Sequence, residues 1–292
     1  MNKLIILLAL VLGLPVMTFA VDDPVLEMDR TFQSYRGLTL HYQGISGDIS
    51  VKTWNKDEVN VKVYANSSAK ENMEIQLVDG SGGITINETS KYKSARGKDL
   101  RLKYEITLPP SYNITINTSS SELNVINLEG NINVQSSSGD CQLDNITGTV
   151  TVSTASGNVT TNNVNGNIHI TTASGDLIHS MTTGKITLTT ASGDVTVKDA
   201  TESVSISSTS GDVIFVCNEN NPGASINTIS GDIWVQVSDK VSATVYVSGA
   251  RNVRNVSDKG KLYDSFERDY NGGGNKIYCT TKSGDVTIND SY

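Results

Sequence analysis

The sequence predicts an all-β protein, a parallel β-solenoid (β-helix) with two strands per 18-residue coil, and three observations predict it. Gly130, Gly139, Gly148, Gly157, Gly166, Gly175, Gly184 and Gly193 stand nine residues apart, Glu202 takes the next beat, and Gly211 resumes it. Alternate beats differ, because Ser-Gly-Asp/Asn recurs at Ser138, Ser156, Ser174, Ser192 and Ser210 whereas the intervening glycines follow other residues, so the repeating unit is eighteen residues with two strands in each. After each corner glycine the chain alternates polar and apolar residues, as in Gly193-Asp194-Val195-Thr196-Val197, the period of a strand with one buried face.

Stacking residue i on i+18 puts Val159, Leu177, Val195 and Val213 in one interior column. Val150, Ile168, Ile186 and Val204 form another on the opposite wall. One coil cannot bury such a face alone, so stability must come from neighbouring coils sharing a core. Each buried aliphatic contributes about 1.5–3 kcal/mol against the entropy of ordering the coil. The Ser-Gly-Asp phrase reads as a corner: glycine takes the backbone conformation a tight bend needs, and the flanking side chains hydrogen-bond backbone groups that the bend leaves unpaired.

In chain order, residues 1–20 have the short basic start, apolar middle and small-residue end of a secretory signal peptide. Their removal takes away Lys3 and moves the formal charge from −8 to about −9. No later stretch approaches the roughly 20 apolar residues of a transmembrane helix. Residues 21–36 are an N-terminal segment, and 37–292 form a single β-solenoid domain. Within it, 37–128 are expected to be wider, irregular coils with a Ser46-Gly47-Asp48 corner and a turn or strand edge at Pro109-Pro110. Residues 129–248 are regular coils, 249–275 an insertion forming a loop or cap, and 276–292 a terminal coil. Solenoid ends expose unpaired edges, which is why terminal coils differ from internal ones.

Several stretches carry a family resemblance: "ISGDISVKTWNKDEVNVKV", "ITLPPSYNITINTSSSELNVINLEGNINVQSSSGD", the Ser-Gly-Asp-Val-Thr-Val coils and the closing "GGGNKIYCTTKSGDVTI". Over about Gly37 to Asp290 the chain resembles the bacterial putative-adhesin family, an exported β-strand-repeat domain of unknown function. The resemblance implies a β-solenoid with no established catalytic residues.

Candidate chemistry is sparse. The corner row Asp140, Asn158, Asp176, Asp194 and Asp212 falls on one edge, where carboxylates one coil apart repel by about 0.9 kcal/mol in water. Calcium would relieve that, but calcium-binding β-rolls use doubled glycines and ligands from two successive turns, and this chain offers one corner Asp per eighteen residues with Asn158 among them. Solvated turn residues are the expected role of Asp140, Asp176, Asp194 and Asp212. Cys141, Cys217 and Cys279 all read as buried small hydrophobes, with a Cys217–Cys279 bridge left open. His41, His169 and His179 have no second ligand at zinc spacing. No catalytic, cofactor-binding or metal residue is assigned.

Two outer surfaces draw attention. Thr151, His169, Thr187 and Ser205, flanked by Ser153, Thr171, Thr189 and Ser207, present hydroxyls where a glycoside hydrolase would need two convergent carboxylates. Thr suits exposed strands, and the same array could contact glycans. The second is an outward column running through Gln142, Thr160, Ile178 and Thr196 to Ile214 and Trp234, which the insertion is expected to cover with Tyr263, Phe266 or Tyr270, the alternative being a docking site for a partner chain.

The scattered basic residues, densest between Lys91 and Arg101, exclude nucleic acid as an expected partner. The sequence therefore points to an exported, non-catalytic adhesin-like solenoid, periplasmic, on the cell surface or extracellular, that binds or scaffolds cell-envelope or extracellular material through its outer faces. Glycans, envelope components and self-association are the candidate partners, no cofactor is expected, and a polysaccharide-acting β-helix enzyme is the alternative.

Overall fold

The computed structural model describes residues 22–92, 99–220, 222–259 and 261–290. The signal segment 1–20 and the centre of the basic stretch Lys91–Arg101 lie outside the described residues. Among the described residues the architecture is all-β apart from one short helix and one turn of 3-10 helix: a 14-stranded and a 13-stranded sheet, between which the chain alternates.

The repeats form the middle of both sheets. Val150–Ser156 lies in the 13-stranded sheet, the chain turns at Gly157-Asn158, and Val159–Asn165 runs in the 14-stranded sheet before Gly166 returns it. Each strand pairs in parallel with the strand eighteen residues on, Leu177 with Val195 in one sheet and Ile168 with Ile186 in the other. Both interior columns expected from the sequence are present and buried, Val159–Leu177–Val195–Val213 and Val150–Ile168–Ile186–Val204.

The corners show why the period is strict. A Cβ added at Gly157 would sit on the carbonyl oxygen of Gly139 directly beneath it, and Gly175 has the same relation to Gly157. The glycine column is therefore required by backbone stacking on backbone as well as by positive φ, 148° at Gly157. A second backbone device is absent from the simple alternation. Asn127, Asn145, Asn163, Met181 and Asp199, eighteen residues apart, have φ of 62°, 55°, 52°, 54° and 53°. Each lets its strand bend so that residues three apart, Leu143 and Ile146 for example, both face inward.

The N-terminal region departs from the irregular-coil expectation. Residues 21–36 supply a strand, Val25–Gln33, antiparallel to Glu58–Ala65, which is in turn antiparallel to Leu102–Leu108. Met73–Gly80 and Gly83–Ser90 form a hairpin on the other sheet. Helix Ser67–Asn72 links the two sheets and buries Ala69; Asn66 caps it by accepting from the Ala69 N–H at 2.9 Å. Antiparallel strands edge both sheets here, so the stacking of like on like stops. A buried carboxylate pins this end. Glu88, 3% exposed, accepts from the hydroxyls of Tyr42 (2.6 Å) and Tyr104 (3.0 Å) and from the N–H groups of Ile45 (3.2 Å) and Ser46 (3.0 Å). Four donors supply the hydrogen bonding that water would give an exposed carboxylate.

At the other end the order of rungs breaks. Asn275–Thr280 lies between Ala224–Asn227 and Ala243–Ser248, and Val286–Asn289 lies between Ile233–Val237 and Val253–Asn255. The chain thus skips a rung, builds the outermost one, and returns to fill the gap with residues 275–289, so the segment expected as a terminal coil is the penultimate rung. The glycine column marks the threading, since a Cβ at Gly284 would meet the oxygen of Gly231 and one at Gly231 that of Gly211. The insertion 249–275 supplies the antiparallel edge strands Leu262–Tyr263 and Phe266–Tyr270. Phe266 is buried against the core end, Tyr263 meets it edge-on with centroids 5.3 Å apart, and Tyr270 is half-buried.

That placement corrects the expected cover. Trp234 is 55% exposed, with Ile178 and Ile214 also exposed, because the aromatics of the insertion close the open end of the interior instead of folding over the outer face. The end of the interior offers more apolar area to bury than an isolated outer column does.

Candidate functional site

The corner carboxylates have a structural task. Asp140 Oδ1 accepts from the Asn158 N–H at 2.8 Å, Asn158 from Asp176 at 2.8 Å, Asp176 from Asp194 at 2.9 Å and Asp194 from Asp212 at 2.8 Å. The ladder continues from Asp212 to Asp232 and from Asp232 to Asp285, each at 2.8 Å. The corner side chain thus satisfies a backbone donor of the next coil, where the sequence suggested only a local partner. Asn serves as well as Asp because one acceptor oxygen is all that is used. A second ladder runs along the opposite corner, with the N–H of Asn131, Thr149 and Lys185 held by Asn113, Asn131 and Asn167. Among the described residues no group of three or more metal-ligating side chains converges.

The three cysteines are buried thiols, with Cys217 in the 14-stranded sheet and Cys279 in the 13-stranded sheet. Burial pushes each thiol up to about 12. His179 is buried in the interior column between Thr161 and Val197, and its two ring nitrogens meet the hydroxyls of Thr161 and Thr182. Burial lowers its pKa to about 4, so the ring is neutral and serves as a packed polar link. His41 and His169 are exposed, on the outer face of the 13-stranded sheet.

That outer face carries a continuous row of polar side chains. Strand register places Thr85, His41, Thr115, Asn133, Thr151 and His169 side by side. The same lane continues through Thr187, Ser205, Ser225, Tyr278 and Tyr246. Beside it run Asn87, Gln43, Asn117 and Gln135, then Ser153, Thr171, Thr189 and Ser207, and finally Asn227, Thr280 and Ser248. No carboxylate stands in either lane as far as Tyr246, although the chain holds 31 Asp and Glu; Glu267, on the antiparallel edge strand, faces Tyr246 just beyond it. At about 4.8 Å per rung, the first lane is about 48 Å long.

The lane ends in an aromatic pair that the sequence could not place. Tyr246 and Tyr278 stack with centroids 5.0 Å apart and planes at 17°. They lie 32 residues apart in the chain and become neighbours only because Asn275–Thr280 is threaded beneath Ala243–Ser248. On the side of Tyr278 away from Tyr246 a groove of about 430 Å³ opens over Thr187, Ser205 and Ser225, with Lys185 and Lys276 at its edge.

The 14-stranded sheet presents a different face. Its outward column runs from Asn124 through Gln142, Thr160, Ile178, Thr196 and Ile214 to Trp234 and Thr287. Its polar end lines a groove of about 450 Å³ with Asp48, Glu122, Asp140 and Lys103. At its apolar end Trp234 borders a groove of about 170 Å³ with Arg254 and Leu262. Among the described residues, no helix is long and apolar enough to cross a membrane.

Residues 43–289 match the family model described as Toastrack DUF4097. Three solved structures are similar over most of their length. A putative adhesin from Bacteroides fragilis is 15% identical, with 90% of this chain and 96% of that chain covered and a TM-score of 0.48. A putative lipid binding protein from Parabacteroides distasonis is 11% identical, with 91% and 96% covered and a TM-score of 0.35. A putative cell adhesion protein from Clostridium sporogenes is 10% identical, with 92% and 100% covered and a TM-score of 0.24. No curated protein sequence matches the chain.

Proposed function

The chain belongs to the Toastrack DUF4097 family, and from that premise we propose that it is an exported, non-catalytic β-solenoid that binds or scaffolds cell-envelope or extracellular material through its outer faces. The two sheets are the walls of the solenoid, residues 37–292 are one domain, and the signal segment 1–20 directs it to the periplasm or the cell surface. The observation that carries the reading is the double lane on the 13-stranded sheet, about 48 Å of hydroxyl, amide and imidazole groups without a carboxylate. A rigid sheet holds those groups at a fixed spacing, so a long polymer meets many weak hydrogen bonds at little ordering cost to the protein. Hydrolytic cleavage of a polysaccharide on this face is disfavoured, because glycoside hydrolysis usually uses a pair of carboxylates flanking the scissile bond.

The test uses the mature protein and isolated cell envelopes. Substituting Thr189→Glu and Ser207→Glu puts two charges into the lane at solvent-facing positions, whereas Trp234→Asp alters only the opposite sheet. Retention on envelope material is expected to fall at least tenfold in the double variant and to persist in Trp234→Asp, with melting temperatures of the double variant and native protein within a few degrees. Equal retention in the double variant, no retention by the native protein, or release of reducing ends from a polysaccharide would each overturn the reading.

A further inference from the structure

The groove beside Tyr278 has features that the rest of the lane lacks. Its floor is short: Thr187, Ser205 and Ser225 occupy successive rungs, so Tyr278 stands above them as a wall. One face of that ring is taken by Tyr246, which lies on the far side because Ala243–Ser248 and Ala224–Asn227 flank Asn275–Thr280 on opposite edges. The other face looks along the groove. Ile186, Val204, Ala224 and Ile277 share one column, so the residues before them, Lys185, Ser203, Gly223 and Lys276, share the next. Both lysines are exposed, three rungs or about 14 Å apart, with only a serine and a glycine between. Among the described residues no acidic side chain lines the groove, in a protein whose formal charge is −8.

We propose that this groove binds an anionic polysaccharide, with one sugar ring laid on the free face of Tyr278 and acid groups of the polymer held by Lys276 and Lys185. The assignment rests on the lane being a binding face and gives that face its ligand class. An aromatic ring accepts the C–H face of a sugar while leaving the sugar hydroxyls at the rim, where the serine and threonine hydroxyls of the floor meet them. Lys276 Nζ lies 5.7 Å from the centroid of the Tyr246 ring, so at rest this ammonium leans towards the strand beyond Tyr278, and it reaches the groove by rotation of its exposed side chain. Thr187, Ser205 and Ser225 give the floor its hydroxyls, and Gly223 and Pro222 flank them. The basic edge in an acidic molecule selects a negatively charged polymer over a neutral one.

The experiment measures binding of the mature protein by calorimetry to polygalacturonate and to its methyl ester, which keeps the sugar backbone and removes the charge. Polygalacturonate is expected to bind the native protein and to weaken at least tenfold in Lys185→Gln/Lys276→Gln, at least tenfold in Tyr278→Ser, and on raising salt from 50 to 500 mM. The methyl ester is expected to bind at least tenfold more weakly than the acid. Tyr278→Ser repeats the residue that Ser225 places on the next rung, and the lysine variants alter only exposed side chains, so circular dichroism and melting should match the native protein. Equal binding of acid and ester, or of native and lysine-variant protein, overturns the anion assignment. Binding that depends on the lysines but is unchanged in Tyr278→Ser reduces the groove to a charge patch and overturns the sugar assignment. If polygalacturonate is not bound while envelope material is still retained through the lane, the ligand class falls and the binding face stands. If neither is retained, both fall.

Discussion

His179 makes the folded state sensitive to acid by an amount that can be worked out. Its ring is enclosed between coils, and burial alone lowers its pKa from the ordinary 6.5 to about 4. Below pH 6.5 the unfolded chain takes up a proton that the folded chain refuses, so this contribution to stability is complete above about pH 6.5 and is lost as pH falls towards 4. The shift corresponds to about 3 kcal/mol in full, of which about 2 kcal/mol is lost between pH 7.5 and pH 5. The comparison is His179→Val, since Val197 occupies the next position of the same column. Urea denaturation at the two pH values should show the native protein losing about 2 kcal/mol more than the variant on acidification. An equal loss in both proteins would refute the reasoning, as would an imidazole resonance of His179 that titrates near pH 6.5 in the folded state.

The remaining predictions concern the corners and the thiols. Asp194→Ala removes the acceptor for the Asp212 N–H and should cost about 1–2 kcal/mol in chemical denaturation, whereas Asp194→Asn should stay within about 0.5 kcal/mol because Asn158 already does this work; equal losses in both would show that charge matters and the hydrogen bond does not. Millimolar calcium should leave the melting temperature unchanged, and a rise of several degrees would restore a metal role to Asp140, Asp176, Asp194 and Asp212. With each thiol pushed up to about 12 by burial, an aromatic disulfide reagent at pH 8 should label none of Cys141, Cys217 and Cys279 in the folded protein and all three after denaturation. A single reactive thiol in the denatured chain would instead reveal a Cys217–Cys279 bond.

Legibility followed locality. Val195 over Leu177 and Ile186 over Ile168 could be read directly, because a repeat of fixed length fixes which residues become neighbours. The corner phrase was legible as a corner, yet the partner of its carboxylate was not, since nothing in Ser-Gly-Asp distinguishes a bond within the turn from one to the coil above. The bend at Asn145 and Asn163 was hidden by a strict period of two, although asparagine at that beat, with its tolerance of positive φ, was a usable signal. Glu88 gave no signal at all: its four donors come from Tyr42, Tyr104 and the loop at Ile45-Ser46, a long way off in sequence. Trp234 stays exposed because the insertion's Phe266 and Tyr263 pack at the open end of the core, a destination that no local pattern in the sequence marks.

The sequence by itself determined the repeat: its length, its strands in two sheets, its glycine corners and the side chains that face out in the hydroxyl lane. These follow from contacts between residues at one constant separation, which the repeat writes out in advance. The tertiary structure alone decided the ends, where the N-terminal strands turn antiparallel and residues 275–289 slip in as the penultimate rung. There the partners have no fixed separation, and the arrangement is settled by which pieces can pair the exposed strand edges and close the apolar interior. Tyr246, Tyr278, Lys185 and Lys276 meet as a consequence of that closure, so the groove could be seen only once the chain was folded.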